Sequence, residues 1–368
     1  MPNSTSRPIR LALIGVGNCA SSLVQGIEQF RTGAHAMTGL AHYELGGYRP
    51  SDIRIAAAWD IDRRKVGRDV ADAIFAAPNC TQKFCSMVEP TGTIVRMGPM
   101  LDGMADHMAD YIDDRTFVPA EASEDDRDTI VAELRGRDVD VMINYLPVGS
   151  EAASRFYAGC ALEAGVAFVN AIPVFLASDP DWAARFEAAG VPIIGDDIKA
   201  QLGATIVHRV LTDLFHRRGV KLDRTYQLNT GGNTDFLNMS ARSRLASKKI
   251  SKTEAVQSVT AQPLAEQDIH IGPSDYVAWQ NDNKIAFIRM EGQLFGGVPM
   301  NLELRLSVED SPNSAGVAID MIRCAMIARD RGLSGPIDAP CACFCKHPPR
   351  QQTDAAAWDS LDAYLEDA

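Results

Sequence analysis

Residues 10–26 read R-L-A-L-I-G-V-G-N-C-A-S-S-L-V-Q-G. Leu11, Leu13 and Ile14 form a short apolar run suited to a buried strand. Gly15-Val16-Gly17 turns sharply, and Asn18 to Phe30 has the pattern of a helix. The spacing is G-x-G-x-x-A, ending at Ala20. Gly15 permits the tight turn, Gly17 lets a pyrophosphate approach the backbone, and a small Ala20 lets helix pack on strand. Asn18 and Cys19 open the helix, where backbone N–H groups face an anion. A strand before and a helix after are the context that makes this pattern a dinucleotide site rather than a Gly-rich turn of an ordinary α/β unit.

Working outward, Arg31 to Ser51 is long for a strand–helix connection and reads as a surface loop or a functional flap. I-R-I-A-A-A-W at Ile53 to Trp59 is a second parallel strand ending at Asp60. An acid there can accept from the ribose hydroxyls of NAD. Arg63 and Arg64 follow and can hold a 2′-phosphate instead, and Asp60 or Asp62 can equally cap a helix over Arg63 to Phe75. V-D-V-M-I-N-Y at Val139 to Tyr145 is a third strand, followed by Leu146-Pro147-Val148-Gly149. Val166 to Asn170 and Val191 to Ile194 are further strands, with helices between. The alternation predicts a doubly wound parallel sheet whose ligand crevice lies outside the strand C-termini. Asn144, Tyr145, Asn170 and Asp197 fall near such ends.

The 368 residues carry a net charge of −12, with 46% apolar and 23% charged residues. This is globular composition, and the acidity argues against nucleic acid or an anionic membrane as partner. No run of 18 apolar residues is present, and residues 1–8 lack a secretory apolar segment. The 8 Cys then read as free thiols of a cytoplasmic protein. Cys341, Cys343 and Cys345, if on a strand, share one face and lack a second pair at zinc spacing, so buried thiols are expected there.

The rhythm changes after Gly195-Asp196-Asp197-Ile198-Lys199. A helix with Leu202, Ile206, Val210, Leu211, Leu214 and Phe215 at helical spacing closes at Arg218-Gly219. Arg224 to Asn229, Ile285 to Glu291 and Leu302 to Val308 read as strands. The last alternates strictly, as half-exposed antiparallel strands do. Ser311 starts a buried helix ending at Gly332, and residues after Arg350 form an acidic surface segment. The expected organisation is therefore α/β. Within it, Gln201 to Glu309 reads as a second, α+β domain. One face of the second sheet needs a partner surface, which a subunit interface would supply.

Residues 229–252 read N-T-G-G-N-T-D-F-L-N-M-S-A-R-S-R-L-A-S-K-K-I-S-K. Lys248 and Lys252 share a helix face. Taken alone, the run reads as a solvated basic patch, and the same holds singly for Lys284 and Lys346.

G-V-G-N-C-A-S-S-L at Gly15, Y-L-P-V-G-S at Tyr145, F-V-N-A-I-P at Phe168 and G-D-D-I-K at Gly195 recur in order with N-T-G-G-N-T-D-F-L-N-M at Asn229, S-K-K-I-S-K at Ser247 and E-D-S-P-N-S-A at Glu309. On these motifs the chain resembles the myo-inositol-1-phosphate synthase family, of the shorter bacterial type, over nearly its whole length. The resemblance implies isomerisation of glucose 6-phosphate to inositol phosphate by oxidation, enolisation, aldol closure and reduction. It also implies a bound NAD recycled in each turnover, a homotetramer, and a Rossmann-like domain of residues 1–200 and 311–368 with an inserted α+β catalytic and oligomerisation domain at 201–310. The family's catalytic lysines align with Lys248, Lys252, Lys284 and Lys346, and other active-site positions with Asp197, Lys199 and Asp310. The cofactor positions implied are Gly15, Gly17, Asn18, Cys19, Ala20, Asp60, Tyr145, Pro147, Asn170 and Asp197.

Two steps of such a reaction develop negative oxygen, which cationic donors stabilise. Lys248 is expected to shuttle the proton of the oxidised hydroxyl, its pKa lowered by clustered ammonium groups. Lys284 and Lys346 polarise the aldehyde, and Asp197 and Asp310 orient the lysines or bind sugar and nicotinamide. Lys252 and the amides of Ala200 to Thr205 hold the phosphate. Ala200 departs from the Ser of many relatives and removes one phosphate hydrogen bond. A metal or monovalent cation is not readable from the residues. The competing reading is an NAD-linked dehydrogenase of a phosphosugar or semialdehyde.

Overall fold

The structure is a computed structural model that describes residues 7–33, 38–85, 87–260 and 262–366. Its strands are β1 (Ile9–Ile14), β2 (Ile53–Asp60), β3 (Arg96–Met97), β4 (Val141–Asn144), β5 (Ala167–Asn170), β6 (Pro192–Ile194), β7 (Lys221–Gly231), β8 (Ile269–Tyr276), β9 (Asn283–Gln293), β10 (Pro299–Glu309) and β11 (Gly335–Pro336). Its α-helices are α1 (Asn18–Thr32), α2 (Val70–Ala73), α3 (Arg127–Gly136), α4 (Glu151–Ala164), α5 (Pro180–Ala188), α6 (Ala204–Arg217), α7 (Thr234–Asn238), α8 (Ala246–Gln257), α9 (Asp310–Asp330), α10 (Asp338–Phe344) and α11 (Asp354–Glu366). No helix among the described residues is long and apolar enough to cross a membrane.

The first sheet has the order β11-β6-β5-β4-β1-β2-β3, and every pairing is parallel. β1, β4 and β5 are covered on both faces, which is why they read as unbroken apolar runs. The strand order reverses at β1, between β2 and β4, so the crevice of this sheet opens where β1 and β4 end. α9 is buried nearly all round, packing on α1 and across β4 to β6. The apolar character of residues 311–332 thus has the cause expected of it.

The second sheet has the order β10-β9-β7-β8 and is built entirely from residues 221–309. β10, β9 and β7 are antiparallel. β8 had no counterpart in the sequence reading, and it pairs with β7 in parallel. Its I-H-I-G-P-S-D-Y is too polar and too Gly/Pro-broken to announce a strand.

Four expectations need correction. Arg63 to Phe75 is not one helix. Asp60 and Asp62 draw the N–H groups of Ile61, Asp62 and Arg64 onto their carboxylates, and a helix forms only at α2, capped by Asp69. Cys341 and Cys343 lie on α10, not on a strand, although all three cysteines of this run are buried and free. The acidic end is no mere surface segment, because α11 sends Ala357 and Leu361 into the main core. On and just before α6 the apolar stripe is only partly buried: Phe215 is buried and Leu211 packs on the core of the second sheet. Leu202, Val210 and Leu214 are about half exposed, whereas His208, Arg209 and Thr212 are buried.

The loop read as a surface loop or flap includes residues 34–37, which lie outside the described residues, as do 1–6 of the N-terminal stretch. Its described part lies largely at the surface and is anchored at a few points. Leu45 and Tyr48 are buried, and the Arg323 guanidinium holds the carbonyls of His42, Tyr43 and Tyr48.

Candidate active site

One cavity sits at the C-terminal edge of the first sheet. Its wall takes Gly17 to Cys19 after β1, Tyr145 to Val148 after β4, Ala171 to Pro173 after β5 and Asp197 to Ala200 after β6. Opposite stand Gly203 to Ile206, Gln227, Asn233 to Asp235, Lys248, Lys252, Lys284, Asp310 and Lys346. The two sheets therefore close on one space, and four lysines from three separate stretches meet in it.

The glycine turn is shaped as its spacing requires. Gly15 has φ +86°, and a Cβ there would lie 2.8 Å from the Tyr145 carbonyl oxygen. A Cβ on Gly17 would meet nothing within 4 Å, so that side of the turn is open. Gly17 is also the N-cap of α1 and offers no side-chain acceptor. The first N–H groups of α1 are thus left for an anion. Asn18 faces inward, and its Oδ1 accepts from the N–H groups of Cys80 and Thr81. Burial pushes the Cys19 thiol up to about 12, so it stays protonated.

Asp60 accepts from Val16 N–H at 2.7 Å as well as from Ile61 and Asp62, and braces the turn. Arg63 and Arg64 are both engaged with Asp113, Arg64 also with Asp62. Asn170 does not reach the cavity wall. Its amide donates to the Val174 carbonyl and to Asp196, and its Oδ1 accepts from Asn144. It supports the strand ends from behind. Tyr145 does line the cavity, and its buried hydroxyl has no hydrogen-bond partner. A buried unpaired donor at a cavity wall is a place for a ligand acceptor.

The lysines are arranged by carboxylates. Lys346 Nζ lies 2.7 Å from Asp197 Oδ1, and Ser251 Oγ donates to Asp197 Oδ2 at 2.6 Å. Lys284 Nζ lies 3.1 Å from Asp310 Oδ1, and Lys248 Nζ 3.6 Å from Asp235 Oδ2. Lys252 is buried and has no carboxylate within ion-pair distance among the described residues. Burial, reinforced by Lys248, Lys284 and Lys346, holds its ammonium well below the usual lysine range. Lys346 is also lowered by burial, against the pull of Asp197. Lys284 is raised, because Asp310 outweighs its burial. Burial, with the neighbouring ammonium groups adding to it, thus depresses Lys252 and Lys346 but not Lys284. Burial alone would push Asp197 up, yet Lys346, Lys248 and Ser251 hold it below the carboxylate range.

Lys199 is the exception among the aligned positions. Its Nζ turns from the cavity to the Ala342 carbonyl at 2.7 Å and toward Asp354 at 3.4 Å.

Three polar residues escaped the sequence reading. Asp235 partners Lys248, Ser251 partners Asp197, and Asp282 accepts from Asn233, Ser311 N–H and Ser311 Oγ. Burial, with Asp310 nearby, raises Asp282 to about 6. Asp235 lay within a quoted motif and Asp282 two residues before Lys284, but nothing local distinguished them from solvated acids. No group of three or more His, Cys, Asp or Glu among the described residues is arranged to hold a metal ion.

A doubly wound parallel sheet with an anion-ready glycine turn, facing a pocket of one buried and three half-buried lysines, defines a nucleotide-linked enzyme for an anionic substrate. The myo-inositol-1-phosphate synthase family model matches residues 203–311. The inositol-3-phosphate synthase of Mycolicibacterium smegmatis is 54% identical over 97% of this chain and 98% of its own length. That of Corynebacterium glutamicum is 51% identical over 98% and 99%. The crystal structure of a myo-inositol-1-phosphate synthase-related protein from Thermotoga maritima shares the fold, with a TM-score of 0.81 over 98% of this chain and 99% of that one at 23% identity. The chain belongs to the myo-inositol-1-phosphate synthase family.

Proposed function

We propose that this protein converts glucose 6-phosphate to 1D-myo-inositol 3-phosphate using NAD. The observation that supports this most is the convergence of Lys248, Lys252, Lys284 and Lys346 on one cavity that also contains the glycine turn. NAD, when bound, supplies a reversible hydride acceptor. Its pyrophosphate fits the open side of Gly17 and the free N–H groups of Asn18 to Ala20, with Tyr145 and Pro147 in the wall.

Lys248 holds and returns the proton of the hydroxyl being oxidised. The enolate and the closing alkoxide are met by Lys284 and Lys346, which Asp310 and Asp197 aim and keep close to hydrogen-bonding distance. Lys252, buried and without an anion of its own, receives the phosphate together with the N–H groups that open α6. Ala200 contributes no side-chain donor there. The domain division at residues 200/201 and 310/311 follows the same reading, with both domains contributing to one site.

A homotetramer fits the apolar surface left uncovered in one chain. Val210 and Leu214 of α6 and Tyr226, Leu228 and Phe287 of the second sheet are all exposed. Light scattering on the purified protein reads the oligomer mass, and a monomer would remove this element.

The decisive test is incubation of glucose 6-phosphate with catalytic NAD. Phosphorus NMR should show the cyclic product while NADH absorbance stays flat. Steady NADH accumulation would support the dehydrogenase reading instead. Gly15→Ala should weaken NAD binding, because strain of about 1–3 kcal/mol at a positive φ falls on the turn that holds it. That is roughly 5- to 150-fold in Kd, read by fluorescence titration, and an unchanged Kd would remove Gly15 from the site.

The lowered pKa of Lys252 sets a pH dependence. Phosphate needs the ammonium form, so above that pKa binding must take up a proton. The affinity for inorganic phosphate should then fall by about tenfold per pH unit, with proton uptake visible by calorimetry in buffers of different ionisation heat. Phosphate binding without proton uptake at any alkaline pH would exclude Lys252 as its partner.

A further inference from the structure

α6 buries a full cation at a position that lies off its apolar stripe. Arg209 is 0% exposed, and all its bonds leave its own helix. Nη1 donates to the Ala255 carbonyl at 2.6 Å and to Ser258 Oγ at 2.9 Å, at the end of α8. Nη2 donates to the Gln352 carbonyl at 2.7 Å, and Nε lies 3.2 Å from Asp354. Gln351 Oε1 lies 3.4 Å from Nη1, while the Gln351 amide donates to the Lys346 carbonyl at 2.8 Å. Nearby, His347 Nδ1 lies 2.9 Å from Glu254 of α8. The segment 346–354 thus grips α8, which carries Lys252, and itself carries Lys346.

We propose that Arg209 is a positioning residue that fixes the separation of Lys252 and Lys346 by clamping α8 to the segment Gln351–Asp354. The proposal rests on the reading of this cavity as the phosphosugar site. Two ammonium groups held close in a dry cavity repel, and the elements that bear them separate unless tied. A guanidinium suits the task because its planar fork of donors reaches several acceptors at once in fixed directions. A buried arginine is tolerated only when paired and fully hydrogen-bonded, and here every partner belongs to the elements that need joining. Asp354 also takes Lys199, so one carboxylate balances both buried cations of the clamp. This gives Lys199 its role as part of the frame.

Lys252 is faced by Lys248, Lys284, Lys346 and Asp197. If the clamp loosens, Lys252 and Lys346 move apart, and the Lys252 pKa rises by the part owed to Lys346 while the larger lowering by burial remains. The test uses Arg209→Met, Arg209→Lys and Gln351→Ala in the full chain. Three quantities are measured: kcat and KM across pH, inorganic phosphate affinity across pH by calorimetry, and NAD binding as a check of folding.

Arg209→Met should bind NAD as the parent does and lose about 100-fold in kcat/KM, the order expected of a 1 Å misplacement. The alkaline limb of its kcat/KM profile and of phosphate binding should move to higher pH. Arg209→Lys should recover part of the rate, and Gln351→Ala should shift the profile the same way by less. Arg209→Met with parental kcat/KM, or with a uniform loss and an unmoved limb, overturns the proposal. If Arg209→Met does not fold, an unmoved limb in Gln351→Ala overturns it. A parent without turnover on glucose 6-phosphate counts against the function instead, and the phosphate titration still reads the clamp.

Discussion

Lys248→Ala is expected to abolish product formation while leaving NAD bound. Lys248 stands on α8 beside the cavity, and its nearest charged partner is Asp235 at 3.6 Å. That contact is long and is not part of the packed core, so its loss leaves the fold in place. On the proposed mechanism, what disappears is the proton carrier for the hydroxyl that is oxidised. Positioned acid–base groups contribute about 10²–10⁴-fold, and turnover by the variant should fall at least that far. NAD affinity should stay within about twofold, since the glycine turn lies on a different element. The check is product by phosphorus NMR beside a fluorescence titration of NAD. Retained turnover would take Lys248 out of the mechanism, and joint loss of turnover and NAD binding would show it to be structural.

Asp197→Asn should damage both stability and activity. Asp197 is 3% exposed and sits at φ 62°, a left-handed conformation that Asn also tolerates. The substitution therefore removes charge without adding backbone strain. Lys346 is left buried without its anion, and Ser251 loses a charged acceptor. Stranding one member of a buried pair costs about 3–5 kcal/mol, measurable by urea unfolding. The sign of the pH effect follows from the same contacts. Asp197 now raises Lys346 against burial, so without it Lys346 loses its proton at lower pH. The alkaline limb of activity should move down in pH, opposite to the shift expected for Arg209→Met. Parental stability with an unmoved limb would mean that Asp197 and Lys346 are not coupled in solution.

The first domain was legible because its signals are local. β1, β4 and β5 are short apolar runs, and the glycine turn has spacing that only a close backbone approach explains. The second sheet was half legible. β7, β9 and β10 alternate, but β8 takes its place through pairing with β7 and carries no pattern of its own. α6 shows the limit of periodicity: Val210 and Leu214 repeat at helical spacing yet face outward, while His208, Arg209 and Thr212 turn in. The burial of His208 and Arg209 is made tolerable by partners 17 to 145 residues away, such as Thr225 and Asp354, which no short window of sequence contains.

The same distinction runs through the site. The order of residues by itself determined the parallel sheet, the glycine turn and, through resemblance of motifs, which four lysines line one cavity. Each of these is carried by neighbours in the chain or by a motif matched as a whole. Only the tertiary structure decided which lysine is paired and which is bare, that Lys199 faces away, and that Asn170 braces strand ends. The reason is that charge and hydrogen bonding at a buried atom depend on everything within a few ångströms. In this chain those neighbours come from β6, α6, α8, β9 and the segment after α10 together.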